Sequence, residues 1–225
     1  MYCRQRLLLK YLMYNITETD IEFQKILPEQ LVELEKKFAQ NLNIQESTLE
    51  IIYNGIKHSQ NNNLKSSRII WNAAGYVNIV SYDLKVIGRN LMISNREWDK
   101  RYFARQAALL IYEASEDLFK ILGKDFRIIL NNLSQPTQIL PKLKEITTAL
   151  NTFNENYKSK MHKIRNVSIA HRDKDIIDQI DLIHSISWVD AITFLSAFDE
   201  ILNKTGVFLQ QVIDKSIDEL NEFNT

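Results

Sequence analysis

Apolar residues recur every three or four positions along most of this 225-residue chain, and this spacing most constrains its fold. The period places one apolar stripe along a helix, whereas a strand needs strict alternation, which no segment shows. The chain has only five Gly and three Pro to interrupt regular elements. The pattern therefore predicts an all-α bundle of four to five long helices. The longest stripe comprises Ile139, Leu143, Ile146, Leu150, Phe153, Tyr157, Met161 and Ile164.

Two further stripes predict helices before the longest one, over residues 69–91 and 103–121. Ser94 and Glu97 have the spacing of a capping box, which predicts Ser94 as the N-cap of the second of these helices. Gly123 follows that helix, and glycine is the usual left-handed residue at a helix C-terminus.

A further stripe, after the longest one, covers residues 176–203, and the sequence around Trp188 is apolar on nearly all sides. Such a helix is either central in the bundle or covered on a second face by a partner. We expect Asp173 or Asp175 to cap its start and Gly206 to end it, so that a last helix follows.

Residues 1–58 carry the helical spacing in shorter runs, which predicts several short helices. The polar stretch 59–67 is the longest turn-rich run in the chain and marks a boundary. We therefore predict two parts, an N-terminal helical extension or subdomain over residues 1–65 and the helical bundle over residues 66–225.

Cys3 is the only cysteine, so no internal disulfide is possible and a reducing compartment is expected. The N-terminal residues lack the apolar core and cleavage site of a signal peptide, and no run of about 18 apolar residues could span a membrane. A cytoplasmic protein without membrane contact is therefore expected. Four scattered histidines do not have the spacing of zinc ligands, so neither a metal nor another cofactor is predicted.

Polar chemistry is concentrated between residues 158 and 172. This stretch contains two histidines and no acid, in a chain of zero formal net charge. It indicates a focused surface that attracts phosphate, because a general coat for nucleic acid would need a basic chain throughout. The basic side chains of the stretch are Lys158, Lys160, Lys163, Arg165 and Arg172.

Arg165 and His171 are the two residues of this stretch best suited to phosphate chemistry. A guanidinium forks onto phosphoryl oxygens, and an imidazole titrates near neutral pH. Their separation of six positions would place them about 120° apart on a continuous helix, so they converge only if the helix ends or distorts between them. Asn166 adds an amide that donates and accepts hydrogen bonds. The competing interpretation is a solvated charged loop between two helices.

The string Arg165-Asn166 followed by Ala170-His171-Arg172-Asp173, placed between two long helices, resembles the HEPN superfamily (higher eukaryotes and prokaryotes nucleotide-binding domains). It looks most like the abortive-infection, AbiU-like branch. The resemblance covers residues 66–225 as architecture, whereas Val167-Ser168 depart from the more basic pattern of the family. Many HEPN proteins are metal-independent RNA endonucleases, so the resemblance implies Arg165 and His171 as the catalytic pair, with Asn166 beside them.

This resemblance leads us to predict a metal-independent RNA endonuclease of phage-defence or toxin type, which cleaves by attack of the neighbouring 2′-OH. One histidine does not readily serve as both base and acid, so a composite site in a symmetric homodimer would supply both. RNA is the expected substrate, and an antitoxin protein is a further candidate partner. The predicted RNA-binding residues are Lys158, His162, Lys163, Arg172 and, on the preceding helix, Arg105.

Two alternatives stay open from the sequence. A module of the same HEPN-like fold could bind a nucleotide, RNA or a partner protein at the surface around Arg165 without turnover. A purely structural helical adaptor would use the basic stretch only as a loop between helices.

Overall fold

The computed structural model describes residues 16–133, 136–166 and 176–222, with side chains described up to Ser216. Within these ranges it contains seven helices and no strand, so the predicted all-α bundle is confirmed. The helices are α1 (Glu18–Asn61), α2 (Lys65–Ile93), α3 (Glu97–Ile121), α4 (Lys124–Asn131), α5 (Pro136–Arg165), α6 (Ile176–Ser185) and α7 (Trp188–Glu222).

The chain divides into two compact units, each assembled from three separate segments. The five longest helices contribute residues to both units, and α1 is one of them. The division at residue 65 into an extension and a bundle therefore stays a prediction. Unit 1 comprises Met1–Gln40, Leu84–Tyr112 and Tyr157–Ala197, and unit 2 comprises Asn41–Asp83, Glu113–Asn156 and Phe198–Thr225.

The apolar spacing predicted α2, α3 and α5 correctly. α5 runs from Pro136 to Arg165, so Arg165 lies at its end, as the longest stripe predicted. Full burial of one large aliphatic or aromatic side chain stabilises a fold by about 1.5–3 kcal/mol, so this stripe anchors α5 firmly. The stripe residues that are at most 4% exposed are Ile139, Leu143, Ile146, Leu150, Phe153, Met161 and Ile164.

The several short helices predicted for residues 1–58 are wrong over the part that the structure describes. α1 is one helix of 44 residues, and it continues through Pro28. A proline inside a helix removes one backbone hydrogen bond, but Leu27 and Ile52 are buried along α1, and this packing maintains the helix. α1 and α2 are joined by a short turn within the polar stretch, where Asn63 has a left-handed φ of 56°.

The N-cap predicted for α3 is wrong. α3 does end just before Gly123, but the left-handed conformation predicted for this glycine is wrong. The backbone N–H and the hydroxyl of Ser94 donate to the carbonyl of Asn90 at 3.1 and 2.6 Å, so Ser94 closes α2, and α3 begins only at Glu97. Gly123 has a φ of −79°, outside the left-handed region. Glycine is still required there, because a Cβ atom would lie 2.8 Å from the carbonyl oxygen of Lys120.

The single helix predicted for residues 176–203 is also wrong. The chain breaks at Ile186 and Ser187, and α6 and α7 are bent by 71° across this break. Asp173 and Asp175, the predicted caps, lie outside the described residues. No single helix in the described ranges is long and apolar enough to cross a membrane, and the bent pair of α6 and α7 passes the same test by length and composition only.

Gly206 does not end α7, which continues to Glu222. Glycine in a helix interior costs roughly 1 kcal/mol relative to alanine. Thr205, Phe208 and Leu209 are buried around this position, so their packing outweighs the local preference of glycine.

A buried carboxylate explains the break between α6 and α7. Asp20 is fully buried, and its Oδ1 accepts hydrogen bonds from the Ser187 hydroxyl and the Val189 N–H, both at 3.1 Å. Its Oδ2 accepts a hydrogen bond from the Thr17 N–H at 2.9 Å. Asp20 therefore caps the N-termini of α1 and α7 at once, α1 through the nearby Thr17 and α7 through residues that are distant in sequence.

Trp188, at the start of α7, lies in the centre of unit 1 and is fully buried. The ring of Phe23 meets it edge-on at 5.5 Å, and the ammonium of Lys100 lies 4.0 Å from the centre of a Trp188 ring. Of the two interpretations of this apolar sequence, the central helix is the one observed. The apolar face around Trp188 is covered within the chain and is not an indication of a partner.

Candidate functional site

Lys158, His162 and Arg165 lie on one face of α5 in its last two turns, because spacings of four and three residues return to the same side of a helix. The intervening Met161 and Ile164 are 0% and 3% exposed, which fixes the rotation of α5. His162 is therefore exposed, and Lys158 and Arg165 are half-buried.

Tyr112 of α3 contacts all three of these side chains. Its ring centre lies 5.3 Å from the Cζ atom of Arg165, 5.8 Å from the Nζ atom of Lys158 and 5.6 Å from the ring centre of His162. A cation over an aromatic face is attracted by its quadrupole, by about 0.5–1 kcal/mol at exposed sites. We name Tyr112, Lys158, His162, Arg165 and Asn166 the Tyr112 cluster. All five residues belong to unit 1.

A chain of hydrogen bonds orders the polar groups of the Tyr112 cluster. Arg165 Nη1 donates to Asn166 Oδ1 at 3.1 Å, and Asn166 Nδ2 lies 3.0 Å from His162 Nε2. Because the amide oxygen of Asn166 accepts from Arg165, its nitrogen faces His162 as the donor. His162 Nε2 accepts this hydrogen bond in the tautomer that carries its proton on Nδ1.

The other basic residues near the end of α5 have different surroundings. Lys160 forms an ion pair of 2.6 Å with Asp190, and Lys163 is exposed. All of these residues occupy the C-terminal turns of α5, where the helix dipole favours positive charge. Part of the basic character therefore stabilises the helix end, whatever else the residues do.

Arg105, predicted to extend the RNA-binding surface, belongs to a different group of side chains. It is 9% exposed, and its Nε atom donates to the carbonyl of Arg101 at 3.2 Å. Its Cζ atom lies 5.9 Å from the centre of a Trp98 ring and 5.8 Å from that of Tyr102. These contacts are all with α3, and an RNA-binding role for Arg105 stays a prediction.

Glu97, Lys100 and Arg101 form a buried ionic group in unit 1. Their i,i+3 and i,i+4 spacing is visible in the sequence, but the burial of the group is not. Glu97 Oε2 pairs with Arg101 Nη1 at 2.6 Å, and Glu97 Oε1 lies 3.9 Å from Lys100 Nζ. Gln24 donates to Glu97 Oε1 at 3.0 Å. The Arg101 side chain is 0% exposed, although a charged side chain on an amphipathic helix is normally expected at the surface.

His171 and Arg172 lie outside the described residues, as does the whole stretch 167–175. The approach of His171 to Arg165 therefore stays a prediction. Among the residues that the structure describes, no group of three or more His, Cys, Asp or Glu side chains is arranged to hold a metal ion.

Comparison of the chain with models of known protein families, with curated proteins and with solved structures finds no match. The Tyr112 cluster and the sequence that follows it are therefore the basis for assigning a function.

Proposed function

We propose that this protein is a metal-independent RNA endonuclease of HEPN type, in which Arg165 and His171 form the catalytic pair. The observation that carries the proposal is the position of Arg165. It lies at the end of α5, five positions before the start of the Ala170-His171-Arg172-Asp173 string, and its guanidinium is in contact with Asn166 and Tyr112. These contacts orient the cation before a substrate arrives, which is a requirement of electrostatic catalysis.

The chemistry of the Tyr112 cluster suits a phosphodiester. A guanidinium can donate two parallel hydrogen bonds to non-bridging phosphoryl oxygens. Lys158 brings a second positive charge to the same aromatic ring, and the exposed His162 and Lys163 extend the polar surface. Arg172 adds a further cation in the sequence that follows.

In the proposed reaction the 2′-OH of RNA attacks the adjacent phosphorus. His171 accepts the proton of this hydroxyl as the 2′-oxygen–phosphorus bond forms, and Arg165 stabilises the charge on the pentacoordinate phosphorus. The bond to the 5′-oxygen breaks, and a general acid donates a proton to that oxygen. The products are a 2′,3′-cyclic phosphate and a 5′-hydroxyl, so the atoms balance without water or metal.

We propose His171 of the partner subunit as the general acid, in a symmetric homodimer with a composite site. The second histidine of the same chain, His162, is less suited to this role. Its ring already contacts Tyr112 and the amide of Asn166, which holds it within the Tyr112 cluster.

A cleavage assay in excess EDTA with tRNA or mRNA tests the catalytic pair. Arg165→Ala and His171→Ala should each lose about 10²–10⁴-fold in rate. Arg165→Lys should also fail, because an ammonium cannot form the two-pronged contact. Lys144→Ala is the matched control, since Lys144 is an exposed cation elsewhere on α5.

The products and the substrate range test the same mechanism. Cleavage should yield 2′,3′-cyclic phosphate ends, and DNA and 2′-O-methyl RNA should resist, since both lack the attacking hydroxyl. If both alanine variants cleave RNA at the rate of the Lys144→Ala control, the proposed catalytic pair is wrong.

Light scattering at micromolar concentration tests the composite site. A dimer is expected under the conditions of the cleavage assay. A strictly monomeric protein that retains cleavage would contradict the two-subunit mechanism, and loss of activity in His162→Gln would then identify the second histidine as the acid.

A toxin-type role is tested in cells. Induced expression of the wild type should arrest growth, and expression of His171→Ala should not. Co-expression of an antitoxin protein should relieve the arrest, and wild-type expression without any growth effect would contradict the toxin role.

A binding module without turnover is the second candidate, and one observation favours it. Two cations, Lys158 and Arg165, and one histidine, His162, meet the single ring of Tyr112, and such a group of side chains suits the binding of a phosphate. In this case Arg165→Ala should weaken RNA binding, while the wild type forms no cyclic-phosphate product. Unchanged RNA affinity in Arg165→Ala would contradict the binding module, and a structural adaptor would then be the remaining interpretation.

A further inference from the structure

Unit 2 contains a cavity of about 460 Å³ between α1, α2 and α7. All of its lining residues belong to unit 2, and none belongs to the Tyr112 cluster. Pockets for small molecules typically measure about 300–1,000 Å³, so the cavity has room for a compact organic ligand. Its walls show which chemistry such a ligand needs.

One wall of the cavity is aromatic and is held in place. Trp71 lines the cavity and lies directly against the backbone of α1 at Gly55. A Cβ atom on Gly55 would come within 2.4 Å of the Trp71 ring, so only glycine permits this position. Ile52, Val77 and Ile213 add apolar wall, which favours a flat apolar molecule over a strongly hydrated one.

Another part of the lining has an unused hydrogen-bond acceptor. The Nε2 atom of Gln45 donates to the Ser81 hydroxyl at 2.7 Å, whereas its Oε1 atom is shielded from solvent and has no hydrogen-bond partner among the described residues. An unpaired buried amide oxygen is unfavourable. The terminal torsion of a glutamine is soft, so a small rotation can bring Oε1 to a donor in the cavity.

The charge at the rim of the cavity is negative. Among the lining residues that the structure describes, Asp214 is the only charged one, and it accepts a hydrogen bond of 2.7 Å from Gln210. A carboxylate at this position repels anions and attracts cations. The cavity therefore differs from the Tyr112 cluster, whose cations suit phosphate.

Gly206 leaves the cavity open on the side of α7. A Cβ atom at this position would meet no other atom within 4 Å. A larger side chain at residue 206 can therefore enter the empty space without a clash. It would occupy the volume that a ligand needs.

We propose that this cavity is a binding site for a planar aromatic molecule, neutral or cationic, that carries an N–H or O–H donor. Trp71 and its apolar neighbours receive the ring, Gln45 accepts a hydrogen bond from the donor, and Asp214 selects against anions. The site goes beyond the proposed RNA chemistry, because it uses different residues and a different class of ligand.

Titration of the ¹⁵N-labelled full-length protein with tryptamine tests the site. The chain has three tryptophans, so the spectrum has three indole N–H signals, and Trp71→Phe identifies the one of interest. The Trp71 signal should shift with a dissociation constant of about 0.1–1 mM, as expected for a ligand of this size, while Trp98 and Trp188 stay unchanged. No shift of the Trp71 signal at millimolar tryptamine overturns the proposal.

Substitutions at Gly206 with side chains of increasing size should progressively fill the cavity. The series Gly206→Ala, Gly206→Val and Gly206→Leu should weaken tryptamine binding progressively, to at least about tenfold for leucine, because each step fills more of the cavity. Gly206→Ala should also raise the midpoint of thermal unfolding by about 2–4 °C, since alanine favours the helix. If all three Gly206 variants fold and bind tryptamine with wild-type affinity, the cavity is not the binding site.

Matched ligands test the two polar contacts. Tryptamine should bind at least about tenfold more tightly than indole-3-acetate, and Asp214→Asn should reduce this ratio several-fold. Indole should bind more tightly than 1-methylindole, which lacks the donor, and Gln45→Met should abolish this preference. Equal binding of all four compounds to the wild type would show that the cavity does not select this ligand class.

Discussion

Two groups of side chains in unit 1 place cations over aromatic rings, but their surroundings differ. Lys100 lies 4.0 Å from a Trp188 ring centre and is 4% exposed, beside the fully buried Arg101 and its carboxylate partner Glu97. Lys158 and Arg165 lie 5.8 and 5.3 Å from the Tyr112 ring centre and are half-buried.

This difference in burial distinguishes the structural side chains at Trp188 from the side chains at Tyr112, which are suited to a ligand. A charge buried inside a protein is costly unless it is paired, so Glu97, Lys100 and Arg101 stabilise one another in the folded state. At a half-exposed site water screens the charges and can be displaced by a phosphate. Similar cation–aromatic contacts therefore serve stability at Trp188 and, in our proposal, RNA binding at Tyr112.

The largest effect on stability is expected for Glu97→Gln. This change leaves the buried Lys100 and Arg101 without their carboxylate, and breaking a buried ion pair on one side typically costs about 3–5 kcal/mol. Urea unfolding monitored by circular dichroism gives the free energy of unfolding. Arg165→Ala is the comparison. If Glu97→Gln lowers the free energy of unfolding no more than Arg165→Ala does, burial does not distinguish the side chains around Trp188 from those around Tyr112.

A somewhat smaller loss of stability is expected for Asp20→Ala. The variant removes the cap of α7 and one hydrogen bond at the start of α1, and loss of an N-cap costs about 0.5–2 kcal/mol per helix. The free energy of unfolding should fall by about 1–4 kcal/mol. Asp199→Ala, a carboxylate in the interior of α7, is the control, and equal losses in both variants would contradict the double cap.

Replacement of Tyr112 should affect RNA binding more than folding. Tyr112→Leu removes the ring from Lys158 and Arg165, so RNA affinity should fall about 2–5-fold, in line with about 0.5–1 kcal/mol for a cation–aromatic contact. Tyr112→Phe keeps the ring and should bind RNA nearly as the wild type does. Fluorescence anisotropy with labelled RNA measures both, and equal affinity of the leucine and phenylalanine variants would argue against a role for the ring.

The smallest effect is expected for Lys160→Ala. The ion pair of Lys160 with Asp190 is 2.6 Å long, but the two side chains are 48% and 56% exposed. Exposed pairs contribute about 0–1 kcal/mol, so the free energy of unfolding should change within that range and the change should shrink in high salt. A loss as large as that of Glu97→Gln would show that length, rather than burial, determines the strength of these pairs.

Local features of the sequence predicted much of the site. The apolar stripe of α5 placed Arg165 at a helix end, and the basic stretch identified Lys158 and His162 as candidate binding residues. Tyr112 could not be assigned in this way, because its contacts depend on how α3 packs against α5. Arg105 illustrates the same limit, since charge in a sequence carries no information on burial.

The sequence by itself determined that the chain is helical, which segments form α2, α3 and α5, and that basic residues gather at the end of α5. These properties depend on residues three or four positions apart, and this periodicity is visible in any short window. Ser187 has a local cap, since its hydroxyl accepts a hydrogen bond from the Asp190 N–H, but only the tertiary structure brings the distant carboxylate of Asp20 to the same break. Likewise, α7 continues past Gly206 only because of packing. The buried neighbours of Gly206 outweigh the cost of a glycine in a helix interior, which is roughly 1 kcal/mol relative to alanine.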